Sequence, residues 1–153
     1  MLIDEITQLL NRMKETGKVD LSIVNNLDGL AGLFKESKEK WLVSSNTKIN
    51  LYFYYGARIA ELVVSRMKER FLSSNQVDAN SKIVEDSLQV TGLLGDLLGL
   101  TQKKLPDEDS TKLVIERTRQ LRSVATDTKL LQSQEKELED VDKLLSYMSK
   151  LRK

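Results

Sequence analysis

The stretch Lys48 to Leu72, KINLYFYYGARIAELVVSRMKERFL, decides the fold. Tyr52, Tyr55, Ile59, Leu62, Val63, Met67 and Phe71 recur in it at steps of three and four, the spacing that gathers side chains onto one face of an α-helix. Alternation at period two, the mark of a half-buried strand, is nearly absent here and throughout the chain. Arg58, Arg66, Lys68 and Arg70 fall between the apolar positions, so the helix is amphipathic. It is the longest strongly periodic segment.

The same period extends in both directions. Toward the amino terminus, Ser44-Ser45-Asn46 forms a turn, preceded by a helix from Leu21 towards Lys40 striped by Leu21, Val24, Leu27, Leu30, Leu33 and Phe34. Asp20 is placed to cap it. Gly29 and Gly32, each roughly 1 kcal/mol less favourable than alanine in a helix, mark where it can break. The first helix, Leu2 to Lys14, carries Leu2, Ile3, Ile6, Leu9, Leu10 and Met13, with Gly17 as its stop. Toward the carboxy terminus, Ser73-Ser74-Asn75 is a polar link. A fourth helix follows from about Asn80 to Leu98, on Ile83, Val84, Leu88, Leu94 and Leu98, its end blurred by Gly92, Gly95 and Gly99.

Pro106 suits the first position of a fifth helix, where Asp107, Glu108 and Asp109 complement the helix dipole and Val114, Leu121, Val124, Ala125 and Thr128 form the stripe. Ser133 caps a last helix with Glu135 and Glu137 in its first turn and Leu138, Val141, Leu144, Leu145, Met148 and Leu151 along one edge. No internal repeat is present and the links are short. The expectation is an all-α fold: one domain over residues 1–153, a single bundle of about six helices without a substantial β domain.

Composition excludes much chemistry. The 153 residues include no histidine and no cysteine, which rules out Ser-His-Asp and Cys-His triads, imidazole or thiolate zinc sites and disulfides. With 24 basic and 23 acidic residues the net charge is +1, so no global field draws the chain to nucleic acid or anionic membrane. Met1-Leu2-Ile3-Asp4-Glu5 is acidic where a secretory signal is basic, and no apolar run approaches the roughly 20 residues that span a bilayer. A cytoplasmic location, or a nuclear one in a eukaryote, is expected.

No constellation points to catalysis, a cofactor or a metal. Asp107-Glu108-Asp109 follows Pro106 and reads as a dipole-complementing first turn rather than a magnesium site. Gly92, Gly95 and Gly99 lack the strand and the Lys-Ser or Lys-Thr of a phosphate loop and fit close helix packing or a bend. A non-enzyme is expected. The run Tyr52-Phe53-Tyr54-Tyr55 cannot face one core entirely. Next to Arg58, Arg66 and Arg70 it fits a protein interface, where tyrosine is enriched, or a stacking surface for single-stranded nucleic acid. Trp41 fits a core or an interface anchor. On the fifth helix Arg119 and Arg122 share a side, whereas Arg117 lies nearer the apolar stripe. The candidate protein interface is thus Trp41, Tyr52, Tyr54, Tyr55, Leu138, Val141, Leu145 and Met148. The candidates for an acidic partner or nucleic acid are Arg58, Arg66, Arg70, Arg119 and Arg122.

Two segments resemble the helical domain of GINS subunits, which join the MCM replicative helicase to its accessory factors. Ile6-Thr7-Gln8-Leu9-Leu10-Asn11-Arg12, then Asn26-Leu27-Asp28-Gly29-Leu30 and a charged helix ending near Trp41, resemble the opening of the Psf-one-like branch. Leu113 to Met148 resembles the family's arginine-bearing helix through Ile115, Arg117, Leu121 and Arg122, continuing into the acidic helix of Ser133, Glu135, Lys136, Glu137 and Leu138. The resemblance implies a helical domain alone, since the family's small β-rich domain has no counterpart in the periodicity. It further implies a non-catalytic assembly subunit in DNA replication, a hetero-oligomer whose partners are other GINS subunits, the MCM helicase and a RecJ-like protein. Nucleic acid is a secondary partner and no membrane contact is implied. The aromatic-basic helix leaves open a nucleic-acid-binding accessory module, such as a CRISPR effector small subunit or a primase accessory subunit. A helical structural protein of an archaeal virus is a third possibility.

Overall fold

Five α-helices carry the fold in the computed structural model, which describes residues 2–43, 48–73, 81–102 and 108–127 together with Asp142, Lys143 and Ser146. They are α1 (Leu2–Thr16), α2 (Ile23–Val43), α3 (Lys48–Ser73), α4 (Ser81–Thr101) and α5 (Glu108–Asp127). The expected count of about six is thus corrected to five among the described residues. Of the segment expected to form a sixth helix, Asp142, Lys143 and Ser146 alone are described, each with helical backbone. The expected turn at Ser44-Ser45-Asn46, Pro106 and Asp107 lie outside the described residues, while Ser73 still belongs to α3.

Local chemistry sets the helix ends. Gly17 takes the left-handed backbone conformation at φ 69° and its N–H donates to the Met13 carbonyl at 2.8 Å, which closes α1. Asp20 leads into α2: its Oδ1 accepts from the Ser22 N–H at 3.0 Å, and its carbonyl accepts from the Ile23 N–H at 3.1 Å. A hydrogen bond from the Ser22 side chain, helped by the one from its N–H, holds the Asp20 carboxyl below its ordinary pKa of 3.8. A lowered folded-state pKa means that the stabilisation is full above the ordinary value and is lost as pH falls through the folded one. Asp20→Ala is therefore expected to cost about 1 kcal/mol near neutral pH. In urea titrations the wild type and variant should converge as the pH is taken below the ordinary carboxyl value of 3.8; an equal gap in acid and at neutral pH would show that the cap does not act through the carboxylate.

The break that Gly29 and Gly32 allow does not occur, and α2 runs through both. Leu27, Leu30 and Phe34 on either side of them are fully buried, and burying each such side chain contributes about 1.5–3 kcal/mol, more than the glycines cost.

Helix α3 is the centre. It packs along α2 most extensively, and against α4 and α5 as well, while α1 lies on α4 and α2. Its Phe53, Ile59, Val63, Met67 and Phe71 join Ile6, Leu10, Leu30, Phe34, Leu94 and Leu121 in one core. Close helix approach occurs at three glycines: Gly29, where a Cβ would lie 3.3 Å from Leu2 Cδ2 of α1, Gly56 and Gly95. A Cβ on Gly56 would lie 3.1 Å from Val114 Cγ2 and 3.4 Å from Thr118 Oγ1 of α5, and one on Gly95 would lie 3.2 Å from Ile3 Cγ2 of α1. The buried threonines of the core satisfy themselves locally: Thr91 and Thr118 each donate to the carbonyl four residues back, at 2.6 Å.

Candidate protein interface

The aromatic run on α3 divides in two. Tyr52 and Phe53 are buried, while Tyr54 and Tyr55 are half-buried and meet edge to face with ring centroids 5.2 Å apart. Trp41 is also inside, stacked on Phe53 at 4.9 Å, with its indole N–H donating to the Thr101 carbonyl at 2.7 Å. Trp41, read as either a core or an interface anchor, and Tyr52, placed with the interface candidates, are thus core residues of this domain. Of that set Tyr54 and Tyr55 alone, among the described side chains, reach the surface. Leu138, Val141, Leu145 and Met148 lie outside the described residues.

The arginines expected to meet an acidic partner are largely engaged within the domain. Arg70 Nη1 donates to Asp86 Oδ2 at 3.1 Å, joining α3 to α4. Arg66 pairs with Glu69 on its own helix. Arg122 grips Asp142 through two bonds, Nε to Oδ1 at 2.8 Å and Nη2 to Oδ2 at 3.1 Å, which raises the guanidinium pKa above its ordinary value. Lys68–Asp28 at 2.7 Å and Lys38–Glu61 at 2.8 Å tie α3 to α2, and Arg117–Asp96 at 3.4 Å ties α5 to α4. Arg58 is exposed, with Nη1 3.5 Å from the Tyr54 hydroxyl, and Arg119 is exposed on α5. Lys38, Arg66, Lys68, Arg70, Arg117 and Arg122 are therefore each paired with a carboxylate, while Arg58 stays exposed beside the Tyr54 hydroxyl. Nucleic-acid readers instead concentrate positive potential along a track.

A feature outside the sequence-based set is the groove between α4 and α5. It encloses about 450 Å³ and is lined by Gly95, Asp96, Gly99, Leu100, Leu113 and Arg117. Leu113 stands 39% exposed at its wall, Gly99 adds no side chain to its floor, and the Arg117–Asp96 pair forms a charged rim. An apolar centre with a polar rim is the anatomy of a protein interface. The sequence carries no separate signal for it, because Leu113 falls outside the stripe that Val114, Leu121 and Ala125 define. Among the described residues no three carboxylates come together to hold a cation, and no helix is long and apolar enough to cross a membrane. Asp109 of the acidic run is exposed. No family model, curated protein or solved structure matches the chain.

Proposed function

We propose that this chain is a non-catalytic assembly subunit that binds a partner protein by taking an apolar side chain or helix edge into the α4–α5 groove. The observation that carries the reading is Leu113, a large apolar residue held exposed on a rigid helix beside the backbone of Gly99 and inside a charged rim. The resemblance of residues 6–41 and 113–148 to GINS subunits selects the assembly: a replication complex in the cytoplasm, or in the nucleus of a eukaryote, with sister subunits, the MCM helicase and a RecJ-like protein as partners. Leu113 and Arg117 both lie in the segment that carries the resemblance. The engagement of Arg66, Arg70 and Arg122 with carboxylates of the domain supports a protein partner over a nucleic acid.

The test is co-purification of the chain with candidate sister subunits and the MCM helicase from the same source. A stable complex is expected, weakened about tenfold or more by Leu113→Glu if that residue is an interface anchor. Because Leu113 is exposed, the variant should keep the helical circular dichroism of the wild type. A folded chain that associates with none of these proteins would overturn the reading. Salt-sensitive anisotropy changes with single-stranded DNA, lost in Tyr54→Ala and Arg58→Ala, would replace it with the nucleic-acid one.

A further inference from the structure

The outward side of α3 carries a second repeat, in which Tyr55 and Leu62 rest partly against the core and the other positions lie outside it. Tyr55, Arg58, Leu62, Ser65, Glu69 and Leu72 follow one another at alternating steps of three and four, the spacing of the a and d positions in a two-helix seam. At about 100° per residue they fall within a stripe about 100° wide, opposite the buried face of Ile59, Val63, Val64, Met67 and Phe71. Arg58, Ser65 and Glu69 are exposed, Tyr55 and Leu62 are half-buried, and Leu72 is 52% exposed although large and apolar. A groove of about 260 Å³ runs beside the stripe, with Lys38 of α2 on its far wall.

The order of residues in this stripe matches its own reverse. Set antiparallel to a copy of itself about a two-fold axis between Leu62 and Ser65, the helix places Arg58 level with the second copy's Glu69, Leu62 level with Ser65, and Tyr55 level with Leu72. Each pair's residue numbers add to the same total, so one register satisfies all three. Each pair also sets an a position against a d position, as antiparallel seams require. The two-fold doubles every contact, giving two Arg–Glu pairs, two Tyr–Leu contacts at the ends and a small, close-packed centre. A parallel pairing sets Arg58 on Arg58 and Glu69 on Glu69 instead.

We infer that the outward face of α3 binds a second copy of this chain in an antiparallel two-fold dimer centred between Leu62 and Ser65. Charge complementarity of the stripe with itself selects a second copy over an unrelated partner; Glu69 pairs with Arg66 of its own helix through Oε2 and would meet the second copy's Arg58 through Oε1. The seam is short and half polar, so the dimer is of the weak, exchanging class. It is independent of the α4–α5 groove, and neither proposal needs the other.

Sedimentation equilibrium of the chain alone over a concentration series should show reversible dimerisation. Arg58→Glu and Glu69→Arg should each weaken it about tenfold or more, because each sets like charges together twice. The double variant, Arg58→Glu with Glu69→Arg, should return the affinity to near that of the wild type. The native chain has no cysteine, so oxidation offers a check that does not depend on the charge variants. A mixture of Leu62→Cys and Ser65→Cys chains should form the mixed disulfide in preference to either self-pair. A chain that stays monomeric up to about 1 mM, a dimer indifferent to both charge reversals, or preferential self-crosslinking of Leu62→Cys would each overturn the proposal. Loss of this dimer with retained sensitivity of a partner complex to Leu113→Glu would leave the proposed function standing.

Discussion

Trp41→Ala is expected to cost about 3–5 kcal/mol, the range for truncating a large buried aromatic. Domains of this kind are stable by only about 5–15 kcal/mol. The variant should therefore unfold at a much lower urea concentration by far-UV circular dichroism. Two losses combine. The indole is 3% exposed and stacked on Phe53, so its removal opens a cavity where α2 meets α3. Its N–H also satisfies the Thr101 carbonyl at the end of α4, one of the acceptors that a helix terminus leaves without an intrahelical partner. Trp41→Phe separates the two: it keeps an aromatic against Phe53 and orphans the carbonyl, for a cost of about 1–3 kcal/mol. If Trp41→Ala shifted stability by less than about 1 kcal/mol, the three-helix junction would not depend on this residue.

Gly56→Leu is expected to cost about 3 kcal/mol, the upper end for overpacking a filled interior. At this position α5 comes close enough that even a methyl group would sit 3.1 Å from Val114 Cγ2. Val114 is itself fully buried and has no room to retreat. Gly56→Ala is closer to balance, because about 1 kcal/mol of helix propensity offsets part of the crowding. The control is Gly32, where nothing lies within 4 Å of an added Cβ. There alanine should stabilise by about 1 kcal/mol. Thermal unfolding of the variants reads the contrast, and a Gly56→Leu protein as stable as the wild type would show that the α3–α5 contact is not close-packed.

Periodicity alone located all five helices, because a stripe at steps of three and four is a local property that needs no knowledge of partners. Gly17 and Asp20 were legible for the same reason, each acting within a few residues of itself. What the sequence withheld depends on distant partners. The division of Tyr52-Phe53-Tyr54-Tyr55 is made by α2, which brings Trp41 against Phe53. The spacing of Gly92, Gly95 and Gly99 suggested packing or a bend, yet α4 is continuous and only Gly95 faces a close neighbour. The pairing of Lys68 with Asp28 and of Arg70 with Asp86 joins residues far apart in the chain. Surface cations read from spacing alone therefore looked more available than they are. Leu113 was hidden by its neighbour Val114, which fills the stripe that periodicity detects.

The seating of α1 on α4 matters during synthesis. Chain elongation proceeds at about 5–20 residues per second, and α2 and α3, adjacent in the chain, can zip together as soon as both have left the ribosome. Ile6, Leu10 and Met13, buried in the finished core, were made earlier but must wait for α4 and its Gly95 before their seat is complete. Of these five helices the first translated is thus among the last secured.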